Sequence, residues 1–234
     1  MKQKILVFVV IFTLINTGMV FANAAEPPSI TIIVDGNVSD LKIEFVSGDK
    51  RQEAMVRHKA GETYFLMFFD MTFTTVEAIH ITDGDVDYRL EMDNLSQYNN
   101  VFRLDYEKGI LKSGKGILRS LKLISLRLLL TLIVEGGVFV LFGFRDDDSL
   151  KIFLAINLLT QGFLNIWINT MHPFEYYGIF FGLIFAEVII LSVEMAAFLK
   201  FMDEQGKGIT AAYVVVANMA SLIFGIFIIP SLAI

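Results

Sequence analysis

Three carboxylates, Glu135, Glu187 and Glu194, stand inside long apolar stretches of the chain. A carboxylate at bilayer depth is costly, faces a bundle interior and marks function by default. The chemistry open to such a group is narrow. It can carry a proton, bind a cation or help line a small substrate pocket. It can also serve structure, hydrogen-bonding to carboxamides on neighbouring helices and holding a bundle together. No substrate is named by these residues.

Other polar side chains fall into step with them. Arg127, Thr131 and Glu135 recur at a spacing of four, as do Asn157, Gln161 and Asn165, with Thr160 beside them. Glu187 and Glu194 are seven apart, two turns along one helical face, and Asn218 and Ser221 are neighbours on the last apolar stretch. At 1.5 Å per residue from the predicted cytoplasmic ends, Glu135 lies roughly 12 Å deep, Gln161 roughly 15, Asn157 and Glu194 roughly 9, Asn218 roughly 14 and Glu187 roughly 20. Overlapping depth predicts one intramembrane polar site built from Glu135, Asn157, Gln161, Glu187, Glu194 and Asn218. Three acids against the single Arg127 leave charge uncompensated, which favours function. A layer of carboxamides that satisfies itself is the structural alternative.

The elements that must position this site are four segments near 121–143, 151–170, 176–200 and 209–231. Each is long enough to cross a hydrocarbon core of ~30 Å. Short connections predict antiparallel neighbours in a compact bundle. Small residues suit close helix contact: Gly136-Gly137, Gly178 with Gly182, and Ala217, Ser221 and Gly225. Trp167, Tyr176 and Tyr177 sit where interface anchors do, and Pro230 falls near the end of the last segment. Ahead of the first segment, Lys115, Arg119 and Lys122 share a helical stripe, with Ile117, Leu121 and Ile124 opposite. That reads as contact with anionic lipid headgroups or as an ordinary snorkelling flank.

Residues 1–24 carry the three parts of a secretory signal: Lys2 and Lys4, an apolar run from Ile5 to Val20, and Ala22-Asn23-Ala24 as a cleavage site. An uncleaved first membrane helix is the alternative, and both put residue 30 outside the cytoplasm. From Ser29 to Tyr106 short apolar runs at 29–34, 41–46, 53–58, 63–69, 75–81, 86–92 and 101–106 alternate with turn signals, which predicts a small all-β, sandwich-like domain over 27–112. Phe65, Phe68, Phe69 and Phe73 suit its core. Asp83, Asp85 and Asp87 around Gly84 fit a solvated turn rather than a calcium loop, and His58 and His80 make a weak metal case. Asn37-Val38-Ser39 and Asn94-Leu95-Ser96 match the glycosylation pattern, idle in a bacterial protein. An exported β domain sends the first helix inward and the C-terminus out. The positive-inside rule supports this poorly: Arg145, Lys151, Lys200 and Lys207 lie at the cytoplasmic ends, against Lys112, Lys115, Arg119, Lys122 and Arg127 outside.

Of 234 residues, 55% are hydrophobic, and the mean hydropathy is +0.61. The excess lies in residues 117–234. The formal charge of −6 and the lack of a basic motif exclude nucleic acid as a partner. The absence of cysteine removes disulfides, zinc–thiolate sites and thiol nucleophiles. Zincin, serine-hydrolase and phosphate-loop motifs are all missing, and His172 falls in a loop. No catalytic residue, metal ligand or cofactor is therefore assigned.

At Thr131-Leu-Ile-Val-Glu135-Gly136, the Leu-Phe-Gly-Phe-Arg of 141–145, Asn157-Leu-Leu-Thr160-Gln161 and the Glu187/Glu194 pair, the chain resembles an uncharacterised family of Gram-positive bacterial four-helix membrane proteins. Leu104-Asp105-Tyr106 is the clearest match in the β domain. The resemblance implies a signal peptide, an extracytoplasmic β-rich domain and four transmembrane helices, without implying an activity. The expected protein is thus a multi-pass cell-membrane protein with its N-terminal domain outside. Its first expected role is non-enzymatic: binding or sensing in the envelope, with a membrane-protein partner or a second copy in the bilayer. The second is a small cation- or proton-coupled transporter or channel subunit, and an intramembrane enzyme comes third.

Overall fold

The computed structural model describes residues 27–69, 75–84, 86–92, 95, 98–174 and 176–228. The expected leader lies outside them, as do Phe73, Asp85, Asn94, Ser96, Pro230 and the side chains of Tyr176 and Tyr177. The chain divides into two compact units, and the boundary falls near Ser120.

The first unit is β-rich. Its strands are β1 (Ser29–Asp35), β2 (Lys42–Ser47), β3 (Lys50–Glu53), β4 (Met55–Lys59), β5 (Glu62–Phe68), β6 (Ala78–Asp83), β7 (Val86–Glu91), β8 (Asn99–Asp105) and β9 (Ile110–Ser113). They form a five-stranded sheet, β4-β5-β1-β8-β9, and a four-stranded sheet, β3-β2-β6-β7. Neighbours pair antiparallel except β1 and β8, which run parallel. The two-residue side-chain period turns Ile30, Ile32 and Val34 of β1, Phe65 and Met67 of β5 and Phe102 and Leu104 of β8 to one face. There they meet Ile43 and Phe45 of β2 and Ile79 and Ile81 of β6, so the two sheets share one core. Phe65 is in that core with Phe69 packed against it, while Phe68 falls on the opposite parity and is half-buried.

Two strands depart from the expected runs. The apolar run at 53–58 is split between β3 and β4, which pair in different sheets. Strand β9 lies beyond the last expected run; its pattern is polar because it is an exposed edge. The histidines are accounted for by neighbours. His80 Nε2 lies 2.6 Å from Asp87 Oδ1, and its Nδ1 lies 3.4 Å from Glu44 across the sheet. His58 Nδ1 lies 3.1 Å from the Thr63 hydroxyl.

Four helices follow: α1 (Ile117–Leu141), α2 (Asp147–Thr170), α3 (Tyr176–Phe201) and α4 (Lys207–Ile228), all long and apolar enough to cross a membrane. Asp146 caps α2, accepting from the backbone N–H groups of Asp148 and Ser149. All four meet around an aromatic cluster in which Phe139, Phe153, Phe198 and Tyr213 each come from a different helix. Helices α2 and α3 approach closely at Gly182, where a Cβ would fall 2.6 Å from the Trp167 ring. Trp167, expected as an interface anchor, therefore packs on a neighbouring helix.

Helix α1 begins four residues before its expected start. Gly114 and Gly116 have φ of +87° and +82°, a region that side chains disfavour, so the backbone turns there and the helix opens at Ile117. Lys115 thus lies ahead of the helix, and the proposed basic stripe does not form. Arg119 departs further from the expectation. It is buried, and its Nε and Nη2 bond to Glu62 Oε1 and Oε2 at 2.7 and 2.8 Å. The Tyr64 hydroxyl donates to Glu62 at 2.6 Å and accepts from Arg119 at 2.9 Å. A paired fork of this kind spends the Arg119 charge inside the protein instead of on headgroups. Lys122 remains exposed.

Burial raises the Tyr64 phenol above its ordinary 10.0, with Glu62 pushing the same way and the Arg119 charge opposing. Below pH ~10 both folded and unfolded chains keep this proton, and the contribution to stability is complete. Above it the unfolded chain ionises first, so stability falls as pH rises toward the folded value. Melting of the purified protein across alkaline pH should show that fall. Tyr64→Phe should remove its share and leave that of Tyr88, which burial also raises.

Candidate functional site

The stripes read from the sequence converge. Helix α2 is the most polar of the four and buries Asn157, Gln161 and Asn165 along one face. Two of these carboxamides first satisfy their own helix: Asn157 donates to the Phe153 carbonyl at 2.9 Å, and Asn165 to that of Gln161 at 2.8 Å. Gln161 reaches across instead, its Nε2 donating to Glu135 Oε1 of α1 at 3.3 Å.

Glu194 of α3 is the best-supported acid. The Thr160 hydroxyl of α2 lies 2.6 Å from its Oε1, and Asn218 Nδ2 of α4 donates to its Oε2 at 2.7 Å. Thr160 is also 3.0 Å from the Ile156 carbonyl, and Asn218 donates to that of Val214 at 3.0 Å. Asn218, with two amide hydrogens, is thus held by its own helix while it serves Glu194, whereas the single Thr160 hydroxyl proton serves one of its two acceptors at a time. Glu135 is fully buried, and Glu194, Asn157 and Gln161 are nearly so.

Four oxygens of the six expected residues are left over: Glu135 Oε2, Glu187 Oε2, Asn157 Oδ1 and Asn218 Oδ1 have no hydrogen-bond partner among the described residues. Glu187 is 93% buried, at 7% exposure, and sits within electrostatic range of Glu194. It lines a cavity of about 30 Å³ together with Arg127, Thr131, Gln161, Asn165 and Ser221. All six expected site residues are buried, and direct contacts link some of them. Thr160 and Asn218 meet Glu194, Gln161 meets Glu135, and Gln161 also lines the cavity with Glu187.

Tyr213 is a member that the sequence did not reveal. It is buried at the centre of the aromatic cluster, with its ring edge-on to Phe139, Phe144 and Phe198 at 5.6, 5.3 and 5.6 Å, and its hydroxyl has no hydrogen-bond partner among the described residues. Its spacing of five from Asn218 matches no helical stripe, so only packing could reveal it. Among the described residues no three acidic or histidine side chains are grouped to hold a metal ion. His172 lies outside the helices, its Nδ1 accepting from the Phe174 backbone N–H at 3.4 Å.

Comparison with known proteins finds no matching family model, curated protein or solved structure.

Removing a single donor to Glu194 strands a buried carboxylate. Thr160→Val or Asn218→Leu should each cost about 1–3 kcal/mol. Combining either with Glu194→Leu should cost less than the sum, because the unpaired charge is removed with its partner. Thermal midpoints of the purified protein in detergent check both statements.

Proposed function

We propose that this chain is a multi-pass protein of the bacterial cell membrane. Its β-rich unit lies outside the cytoplasm and binds or senses there, without enzymatic chemistry. Its helices anchor that unit and contact a membrane-protein partner or a second copy. One observation carries the membrane placement: the four helices are inverted relative to a water-soluble bundle. Large apolar side chains face outward, with Leu129 at 55%, Ile133 at 61%, Phe163 at 76% and Phe227 at 73% exposure, while carboxylates and carboxamides are buried. Water would oppose so much exposed apolar surface, and lipid accepts it. The signal-like leader supports export of the β-rich unit, and the motif likeness to Gram-positive membrane proteins supports the same arrangement.

This reading fixes an orientation. A reporter fused after Ile234 should respond outside the cytoplasm. A cytoplasmic response would reverse the first helix and the placement of the β-rich unit. Crosslinking in native membranes should join the chain to a partner or to itself.

A second reading, a small proton- or cation-coupled transporter or channel subunit, rests on the unpartnered oxygens of Glu135 and Glu187. In liposomes, ion flux that disappears with Glu135→Gln or Glu187→Gln is its expected outcome. Flux indifferent to both changes would remove it.

A further inference from the structure

We infer that the cavity beside Glu187 holds water and that Glu187 exchanges its proton with that water, while Glu194 is a fixed structural acceptor. The inference rests on the transport reading for its purpose and deepens it, naming the proton as cargo and one carboxylate as its carrier.

Size decides the ligand class first. About 30 Å³ is well below the ~300–1,000 Å³ of organic-ligand pockets, yet exceeds the ~10–15 Å³ that one water needs. Polarity decides next. A buried water makes about three hydrogen bonds, and Thr131, Gln161, Asn165, Ser221 and Glu187 offer donors and acceptors in a lining that also holds apolar residues such as Leu130, Leu164 and Phe224. A metal ion fits poorly, because the Arg127 guanidinium shares the lining and no third acid or histidine is grouped there among the described residues.

The two acids on α3 have different surroundings. Both Glu194 oxygens have a neutral donor within hydrogen-bond distance, Thr160 at one and Asn218 at the other. Glu187 lines the cavity, and its buried Oε2 has no hydrogen-bond partner among the described residues. Among the described residues the titratable and charged groups around it are Arg127 and Glu135 from α1 and Glu194 from α3. Helix α2 offers only the neutral Gln161 and Asn165, and α4 offers Ser221 and, farther along, Tyr213. The exchange step is balanced. A hydronium ion in the cavity passes its proton to the Glu187 carboxylate, leaving water and a neutral carboxyl, and the reverse step returns it.

The test is infrared difference spectroscopy of the full chain in lipid vesicles, stepped in pH in H₂O and D₂O. The expected result is a carboxyl signal that shifts in D₂O, is lost in Glu187→Gln and persists in Glu194→Gln. Ser221→Leu, which fills the cavity with hydrocarbon, should slow the deuterium shift while leaving Glu187 in place. A signal that survives Glu187→Gln, or a wild-type carboxyl band that never exchanges, would overturn the inference. If Glu187→Gln does not fold, as judged by its melting, the wild-type deuterium shift and Ser221→Leu decide the matter. Proton flux in the same vesicles separates the two ideas. An exchanging Glu187 without flux keeps the water site and removes transport. Flux that does not need Glu187 keeps transport and removes this carrier.

Discussion

Glu194 takes one hydrogen bond from the helix before it and one from the helix after it. Among apolar helices there is little hydrophobic drive toward one register over another, because lipid solvates an outward leucine as well as a neighbour does. A buried carboxylate is different. It is costly unless its oxygens are met, so the helices settle where Thr160 and Asn218 both reach it. The aromatic cluster around Tyr213 and the close approach at Gly182 then fill the space that this register defines.

The same constraint separates structural acids from a reactive one. A carboxylate whose oxygens both face donors from neighbouring helices has little freedom to change state. One that keeps an oxygen free beside a water-sized space can do so without unpicking the bundle. Glu194 and Glu187 are chemically identical and share a helix, yet their surroundings differ. Glu135 lies between these cases, with one oxygen on Gln161 and the other unmet.

In the β-rich unit the corresponding polar device is the fork of Arg119 on Glu62, joined by Tyr64. It ties the first turn of α1 to β5 and removes from the surface the charge on which a headgroup-binding stripe depended. The local backbone makes this arrangement, since two left-handed glycines start the helix just before Arg119.

Much was legible in the residues. Apolar length located four helices to within a few residues, because hydrocarbon thickness and helical rise leave little choice. Alternation located most strands, and stripes of four and seven found the buried polar residues. Periodicity reports which face a side chain is on, but not what stands opposite. The division of 53–58 between two sheets, the polar edge strand β9, the turning of Arg119 to Glu62, the entry of Tyr213 into the polar layer and the different partners of Glu187 and Glu194 all depended on contacts between residues far apart in the chain. Those contacts are settled by packing and by the cost of unmet polar groups, which no single segment carries in its own sequence.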